Sequence, residues 1–149
     1  MGHILILLTC GVIFGVSDVM AVNFRDCDSV GARVLSVDIV PCNDEPCVLY
    51  RGRSASINIA FAALADVDVR GSTLQSSFGR QRIRIPMPSN GMCGPVNRSC
   101  FIQAGGVYTY TFTAVVPENV RPGSMTIRWE LLNTSDQAFL CFEITVLIV

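Results

Sequence analysis

Apolar and polar residues alternate one by one along most of the chain after residue 30. Successive side chains of a β-strand point to opposite faces, so each alternating segment predicts a strand with one buried face. Seven segments show the pattern, and their apolar members are Leu35, Val37 and Ile39; Ile57, Ile59 and Phe61; Val67 and Val69; Ile83, Ile85 and Met87; Tyr108, Tyr110, Phe112, Ala114 and Val116; Met125, Ile127, Trp129 and Leu131; and Leu140, Phe142, Ile144, Val146 and Ile148. Turn-forming residues such as Arg51-Gly52, Gly71-Ser72 and Gly105-Gly106 separate the segments. The sequence therefore predicts an all-β sandwich.

The first 21 residues have the features of a secretory signal. An apolar run from Ile4 to Val16 is shorter than the roughly 20 residues needed to cross a bilayer. Val19-Met20-Ala21 then fits the small-residue pattern that precedes a signal-peptidase cut. We predict a signal peptide over residues 1–21 and a single domain over residues 22–149. A buried N-terminal helix is the alternative.

The basic residues of the predicted domain are all arginine, and the one histidine, His3, lies in the predicted leader. The domain therefore offers neither an imidazole nor a lysine amine. This excludes Ser-His-Asp and Cys-His catalysis, histidine metal sites and Schiff bases. Asp66 and Asp68 alternate with valines, so we expect them to face solvent rather than to form a catalytic pair. We predict that the protein is not an enzyme and has no cofactor and no metal.

The full chain has 12 acidic and 11 basic residues. Removal of the leader removes Asp18, so the predicted domain has a formal net charge of zero. Binding to nucleic acid needs a strong basic excess, so no nucleic acid partner is expected. Arg80, Arg82 and Arg84 share one face of a predicted strand. A solvated outer face is the simple interpretation. A basic surface that meets an anionic membrane or a carboxylate headgroup is the functional one.

Six cysteines remain in the domain once Cys10 is removed with the leader. An even number in a small secreted domain is typical of a disulfide framework, although spacing alone allows many pairings. Proximity in the sequence favours the pairs Cys42–Cys47 and Cys93–Cys100. By elimination, Cys27 then pairs with Cys141. A four-thiolate zinc site is the alternative, but the spacings differ from the usual C-x2-C knuckle.

Two N-x-[ST] sequons predict glycosylation at Asn97 and Asn133. Each falls in a predicted turn, where a glycan can be accommodated. Asn97 also lies inside the predicted loop between Cys93 and Cys100, which can hinder transfer of the glycan.

Several short motifs follow one another in a characteristic order. They are FRDC, PCNDEPCVLYRG, IRIPMP, CGPVNRSC, VYTYTF and IRWELLNTSDQAFLCFEITVLIV. The spaced pattern P-C-x4-C-x-L-x-[KR]-G, followed late in the chain by W-x-L and L-C-[FW]-E-I, is specific. Over essentially the whole predicted domain the chain thereby resembles the MD-2-related lipid-recognition (ML) domain family. The resemblance is strongest to its Niemann–Pick type C2-like (epididymal secretory protein-like) lipid carriers.

The resemblance implies an immunoglobulin-like sandwich of two antiparallel sheets that part at one edge, so that a lipid enters an apolar cavity between them. It also implies the three disulfides given above. Carried over by position, it places three lipid-binding residues near the mouth, namely Ile85, Val116 and Val120. It places six more along or behind the cavity, namely Phe61, Met87, Tyr110, Trp129, Leu131 and Phe142.

Three positions depart from the family pattern. Ile85 and Val120 stand where the sterol carriers have aromatic residues, and Phe101 stands where the family has proline. Because flat aromatic surfaces are lost, a fatty acid or another slender lipid is as good a candidate ligand as a sterol. We therefore predict a monomeric lipid-binding and transfer protein, secreted to the extracellular space or to lysosomes, with transient membrane or receptor contact. An innate-immune module that senses microbial lipids and a structural sandwich with a filled core are the alternatives.

Overall fold

The structure is a computed structural model that describes residues 20–87 and 100–149. This part of the protein contains eleven β-strands. For residues 84–87 and 100 the description covers the backbone. The strands are β1 (Met20–Ala21), β2 (Arg25–Asp26), β3 (Ala32–Val40), β4 (Cys47–Leu49), β5 (Ser54–Ala63), β6 (Val67–Phe78), β7 (Gln81–Met87), β8 (Cys100–Ile102), β9 (Val107–Val115), β10 (Gly123–Asn133) and β11 (Ala138–Ile148). The seven long strands, β3, β5, β6, β7, β9, β10 and β11, correspond in chain order to the seven predicted segments.

The strands form two sheets. One sheet has the order β1-β3-β5-β9, and the other has the order β2-β11-β10-β6-β7, with β4 added to β11 and β8 added to β6. Neighbouring strands are antiparallel except for β4 and β11, which are parallel. The chain passes from the first sheet to the second between β3 and β4. The predicted all-β architecture of two antiparallel sheets is confirmed.

The long strands turn their apolar residues toward the opposite sheet. On β10, Met125, Ile127, Trp129 and Leu131 are buried, and the residues between them are partly exposed. The same alternation on β3, β5 and β11 brings the inner faces of both sheets into one apolar core. Burial of these faces, at about 25 cal/mol per Å² of apolar surface, is the main force that holds the sheets together.

Leu35 departs from the predicted alternation because its side chain is 44% exposed. The register of β3 against β5 shifts here, since Val34 pairs with Phe61 and Ser36 pairs with Ala60. Leu35 is therefore the extra residue of a β-bulge, which changes the face that the following residues occupy. Val34 takes the buried position instead.

The predicted turn at Gly71-Ser72 is wrong, because β6 continues through both residues. The register of β6 against β10 shifts at this point, so Arg70 is the extra residue of a second bulge. Glycine inside a strand is a frequent mark of a bulge. The chain reverses later, at Gly79, whose φ of 56° lies in the left-handed region that glycine adopts without strain.

The described chain contains two disulfides, one between distant segments and one across a short corner. Cys27–Cys141 connects the segment after β2 to β11, and Cys42–Cys47 closes the corner between β3 and β4. Both pairings agree with the prediction, and a four-thiolate zinc site is excluded because these four sulfurs are bonded to one another. Cys93 lies outside the described residues, so its pairing with Cys100 stays a prediction.

Residues 1–19 of the predicted signal peptide lie outside the described residues. Its last two residues form β1, which pairs with β3. A cut after Ala21 would leave Val22 on the same edge, where its N–H donates to the carbonyl oxygen of Val37 at 2.8 Å. The signal peptide stays a prediction. Within residues 20–87 and 100–149, the structure has no helix of the length and hydropathy needed to span a bilayer.

Candidate ligand-binding cavity

A cavity of about 750 Å³ lies between the two sheets at one end of the sandwich. This volume falls within the range of about 300–1,000 Å³ that is usual for small-molecule sites. Most of its wall consists of aliphatic and aromatic residues, which are Ile39, Leu49, Ala55, Ile57, Leu74, Phe78, Ile83, Phe112, Ala114, Val115, Val116, Val120, Met125, Ile127, Trp129, Ile144 and Ile148. A site of this kind favours a ligand that is itself largely apolar.

The cavity begins where the packing of aromatic rings ends. Tyr110 meets Trp129 edge-on with ring centroids 5.8 Å apart, and Phe112 lies tilted against Trp129 at 5.6 Å. Further toward the open end, Ala55 on β5 stands directly opposite Ala114 on β9. Both alanines line the cavity. Their small side chains leave empty the space that two larger residues would fill.

The other half of the core is filled by its own side chains. Phe61 stacks on Tyr108 with ring centroids 6.0 Å apart and lies 6.4 Å from the ring of Phe139. The buried hydroxyl of Tyr110 is hydrogen-bonded to the hydroxyl of Ser72 at 2.9 Å. This bond satisfies two polar groups that would otherwise be costly to bury. The sandwich therefore has a solid half and a hollow half, with Trp129 at their boundary.

The mouth of the cavity lies between two exposed segments. The start of β7 supplies Gln81 and Ile83. The end of β9 and its connection to β10 supply Val115, Val116, Pro117, Asn119, Val120 and Arg121. Ile83 is 50% exposed and Val115 is 60% exposed, although both line the cavity. β7 and β9 are each the last strand of their sheet. Among the described strands the sheets thus part along their edges, where an opening breaks no hydrogen bond between one described strand and another.

Five polar side chains line the cavity among the described residues, and one of them, Ser56, is hydrogen-bonded to the hydroxyl of Thr113 at 2.7 Å. Gln81, Asn119 and Arg121 are exposed and stand at the mouth. Ser76 is only 9% exposed and stands further in, and the described part of the chain offers its hydroxyl no hydrogen-bond partner. Arg121 is the one charged residue among the described residues of the wall.

Ion pairs of the second sheet lie away from this cavity, on the outer face of the sheet. Arg128 contacts Glu130 at 2.9 Å and Glu143 at 3.7 Å, and Arg25 also pairs with Glu143. The hydrogen bond and the negative charge of Glu143 raise the pKa of Arg25 above its ordinary value. These pairs belong to the solvated surface, so the ionic interactions of this sheet are separated from the apolar wall.

Three of the predicted lipid-binding residues line the cavity, namely Val116, Val120 and Trp129. Ile85 and Met87 lie on β7, where the backbone of Ile85 is in register with Leu74 of the wall. Of the three lining residues, Trp129 lies on β10, and Val116 and Val120 lie in the connection between β9 and β10.

The other four predicted residues, Phe61, Tyr110, Leu131 and Phe142, are each 0% exposed. They lie in the filled core and are absent from the wall of the cavity. Tyr110 stands behind the wall, because its ring is in contact with Trp129. A direct contact between these four residues and a ligand stays a prediction.

Several lining residues were not among the predicted contacts. Phe112 and Ile127 belong to the same strand faces as the predicted Tyr110 and Trp129, two residues nearer the open end. The alternation of residues along the strand could have identified them. Arg121 lies in a connection between strands, where no such periodicity exists.

Asn133, the predicted glycosylation site that lies within the described residues, ends β10 and begins a turn. Its side-chain oxygen accepts hydrogen bonds from the backbone N–H groups of Ser135 at 3.0 Å and Gln137 at 2.9 Å. The turn lies at the end of β10 opposite to the mouth, so a glycan there would leave the cavity accessible. Asn97 lies outside the described residues. Glycosylation at both positions stays a prediction.

Comparison with known proteins agrees with this architecture. A family model described as the ML domain matches residues 21–148. NPC intracellular cholesterol transporter 2 of Danio rerio is 27% identical over 128 residues, which cover 86% of this chain and 85% of that protein. The ecdysteroid-regulated 16 kDa protein of Manduca sexta is 30% identical over 110 residues, which cover 72% of this chain and 76% of that protein. The crystal structure of a Niemann-Pick type C2 protein from the Japanese carpenter ant has the same fold, with a TM-score of 0.71 at 20% identity over 86% of this chain and 100% of that one. The chain belongs to the ML domain family.

Proposed function

We propose that the protein binds and transfers lipids by enclosing one hydrophobic ligand between its two sheets. The observation that carries this proposal is the cavity of about 750 Å³, with its apolar wall and open mouth. The name of the Danio rerio relative supports it, because that protein is a cholesterol transporter. A sterol and a fatty acid are both ligands of suitable chemistry for such a wall.

Burial of hydrocarbon supplies the affinity. Each methylene group that leaves water contributes about 0.8 kcal/mol. Association costs about 4–15 kcal/mol in lost translation and rotation, so a short chain cannot bind and a long chain or a ring system can. A carrier must also release its ligand, and the exposed mouth provides a path that requires no unfolding of either sheet.

The ligand leaves chemically unchanged in this proposal. Among the described residues that line the cavity, Arg121 is the only group that ionises, and arginine stays protonated in proteins. The described part of the wall therefore offers no group for acid–base catalysis. The protein acts as a carrier rather than as an enzyme.

Transfer requires the mouth to approach a membrane or an acceptor. Residues 50–54 join the rim, because the N–H of Gly52 donates to the carbonyl oxygen of Val116 at 2.7 Å. Together with residues 78–83 and 115–121, this segment carries five arginines and one glutamate. Tyr50, Ile83 and Val115 add exposed apolar surface. Positive charge beside apolar side chains favours contact with an anionic bilayer.

This membrane contact has a direct test. Transfer of a fluorescent sterol out of vesicles should be faster when the vesicles contain phosphatidylserine than when they contain phosphatidylcholine alone. The difference should shrink as salt is raised, because mobile ions screen exposed charges. Equal rates from both vesicles at low salt would contradict contact through the basic rim.

The proposed place of action is outside the cytosol, either extracellular or lysosomal. Disulfides persist in oxidising compartments, and two are present in the described chain. The predicted signal peptide gives the same expectation. We propose that the protein works there as a monomer.

The binding mode is tested by filling the cavity. Ala55→Phe places a ring in the hollow half, and Ala62→Phe is the matched control because Ala62 lies on the opposite face of the same strand. Delipidated wild-type protein should bind one molecule of a fluorescent fatty acid or of dehydroergosterol. Ala55→Phe should weaken that binding by about five- to 150-fold, since a ligand that overfills the space costs about 1–3 kcal/mol.

Ala62→Phe should bind these probes as the wild type does. If the wild type binds neither probe, or if Ala55→Phe binds as well as the wild type, the cavity is not the binding site.

A further inference from the structure

We propose that Arg121 recognises an acidic headgroup, so that the preferred ligand is a long-chain carboxylate rather than an uncharged sterol or alcohol. This inference rests on the proposed function. It adds that the ligand is negatively charged and that its charged end faces solvent. It is carried by the distribution of polarity around the cavity and by the surroundings of Arg121.

Polarity changes along the cavity from its floor to its mouth. The floor is apolar and buried, with Trp129, Ile144 and Ile148 each no more than 3% exposed. The polar lining residues of the mouth, Gln81 and Asn119, are exposed amides that can donate hydrogen bonds. A ligand with one polar end and one apolar end matches this gradient when its tail enters first.

Ser76 extends the polar side of this gradient inward from the mouth. It is in register with Ile127 on β10 and with the half-exposed Ile83 on β7. Its hydroxyl opens onto the cavity and has no hydrogen-bond partner among the described residues. A hydrocarbon packed against it would leave that hydroxyl unsatisfied, so the structure favours a ligand with an oxygen atom near the mouth.

The charge at the mouth distinguishes an acid from an alcohol. Arg121 is exposed, and the described residues provide it with no ion-pair partner. Two other arginines of the rim are engaged by the protein. Arg51 donates through Nε to the carbonyl oxygen of Val149 at 3.4 Å, and Arg53 lies 5.2 Å from the ring centroid of Tyr50. Arg121 is also the one of these three that lines the cavity.

A guanidinium group suits a carboxylate because its planar set of donors can form two parallel hydrogen bonds to the two oxygens. At an exposed position such an ion pair increases the affinity for the ligand only modestly. Surface ion pairs correspond to about a two- to fivefold change in affinity. The apolar wall would therefore set how tightly a lipid binds, and Arg121 would set which headgroup is preferred.

The test compares two ligands that differ only in the headgroup. The affinities of palmitic acid and of hexadecanol are measured by displacement of a neutral fluorescent probe from wild-type protein, from Arg121→Gln and from Arg121→Glu. Arg33→Gln is the matched control, because Arg33 is exposed on β3 and does not line the cavity. Cholesterol is included as an uncharged sterol.

Wild-type protein and Arg33→Gln should prefer the acid over the alcohol by about two- to fivefold. Arg121→Gln should bring the ratio close to one, and Arg121→Glu should bring it below one. A wild-type ratio of one, tighter binding of cholesterol than of the acid, or an unchanged ratio in Arg121→Gln would overturn the role of Arg121 and leave the carrier function standing. Binding of none of the three lipids would overturn both proposals.

Discussion

At the scale of single residues, Trp129 has the most informative position, because it separates the filled half of the core from the hollow half. It is the only tryptophan of the chain. Its ring is in contact with Tyr110 on the filled side and with Phe112 on the cavity side. Its buried Nε1 has no hydrogen-bond partner in the described structure. Trp129 therefore acts through the surface of its ring rather than through its polar atom.

Because Trp129 lines the cavity, its fluorescence should report the arrival of a ligand. Replacement of cavity water by hydrocarbon makes the surroundings of the indole less polar. Addition of palmitic acid to delipidated protein should therefore shift the emission to shorter wavelength, in proportion to occupancy, and the signal should be absent in Trp129→Phe. Emission that stays constant while a separate assay shows saturation would place the ligand elsewhere.

Asp26 makes stability depend on pH. Partial burial raises its pKa, but hydrogen bonds from the side chain and backbone of Ser29 and from the backbone of Asp28 outweigh burial, and the net pKa lies below the ordinary value. A carboxyl whose folded pKa is lowered stabilises the fold above its unfolded pKa of about 3.9. That stabilisation is lost as the pH falls through the lower, folded pKa.

The test of this effect is urea unfolding at about pH 7 and about pH 2. Asp26→Asn should be less stable than the wild type at the higher pH, and the difference should vanish at the lower pH, where both side chains are uncharged. An equal difference at both pH values would mean that the substitution acts through packing and not through the charge of Asp26.

At the scale of elements, the two described disulfides should differ in their contribution to stability. Cys27–Cys141 closes a loop with a sequence separation of 114, and Cys42–Cys47 closes one of 5. Restriction of the unfolded chain grows with loop length, so replacing the first pair by alanine should cost about 4–5 kcal/mol and replacing the second about 2 kcal/mol. Urea unfolding of the two double variants checks this order, and a larger loss for the short loop would contradict it.

The strands could be predicted from the sequence where alternation is regular, and could not where the ladder is interrupted. The faces of β10 follow from the pattern alone, as Met125, Ile127 and Trp129 show. Alternation cannot reveal a bulge, so the sequence pattern predicts a core position for Leu35 and a turn at Gly71. The strands of two or three residues are too short to show any period, so β1, β2, β4 and β8 follow only from the structure.

The cavity was harder to predict than the strands. Phe61 and Phe112 both lie on inward faces of adjacent strands, yet the first is in the filled half and the second lines the cavity. Alternation reports which way a residue faces and carries no information on the distance to the opposite sheet. Ala55 and Ala114 leave space unfilled at this point of the core, and their pairing across two strands is a property of the register.

At the scale of the whole molecule, the sandwich combines rigidity with capacity. The filled half and the disulfide Cys42–Cys47, which joins the end of β3 to β4 of the other sheet, hold the sheets together. The hollow half lies between β7 and β9, each the last of the described strands in its sheet. Removing a lipid therefore need not disturb the packed core. The separation of a packed half from a hollow half fits the proposed carrier, whose ligand enters and leaves repeatedly.

The volume of the cavity limits the length of chain that it can hold. For saturated fatty acids of increasing length, affinity should rise by about fourfold per methylene, which corresponds to about 0.8 kcal/mol. The rise should stop once the cavity is full, and Ala55→Phe should move that limit to a shorter chain. Displacement titrations across the series measure both effects. A constant affinity from ten to eighteen carbons would show that the tail is not enclosed.

The central claim, that the space between the sheets holds one lipid, is tested most directly by native mass spectrometry of the intact protein after incubation with palmitic acid. The account predicts a single complex whose mass exceeds that of the bare chain by one lipid, present in the wild type and Ala62→Phe and depleted in Ala55→Phe. A bare chain at saturating lipid, or an equal complex in Ala55→Phe, would contradict it.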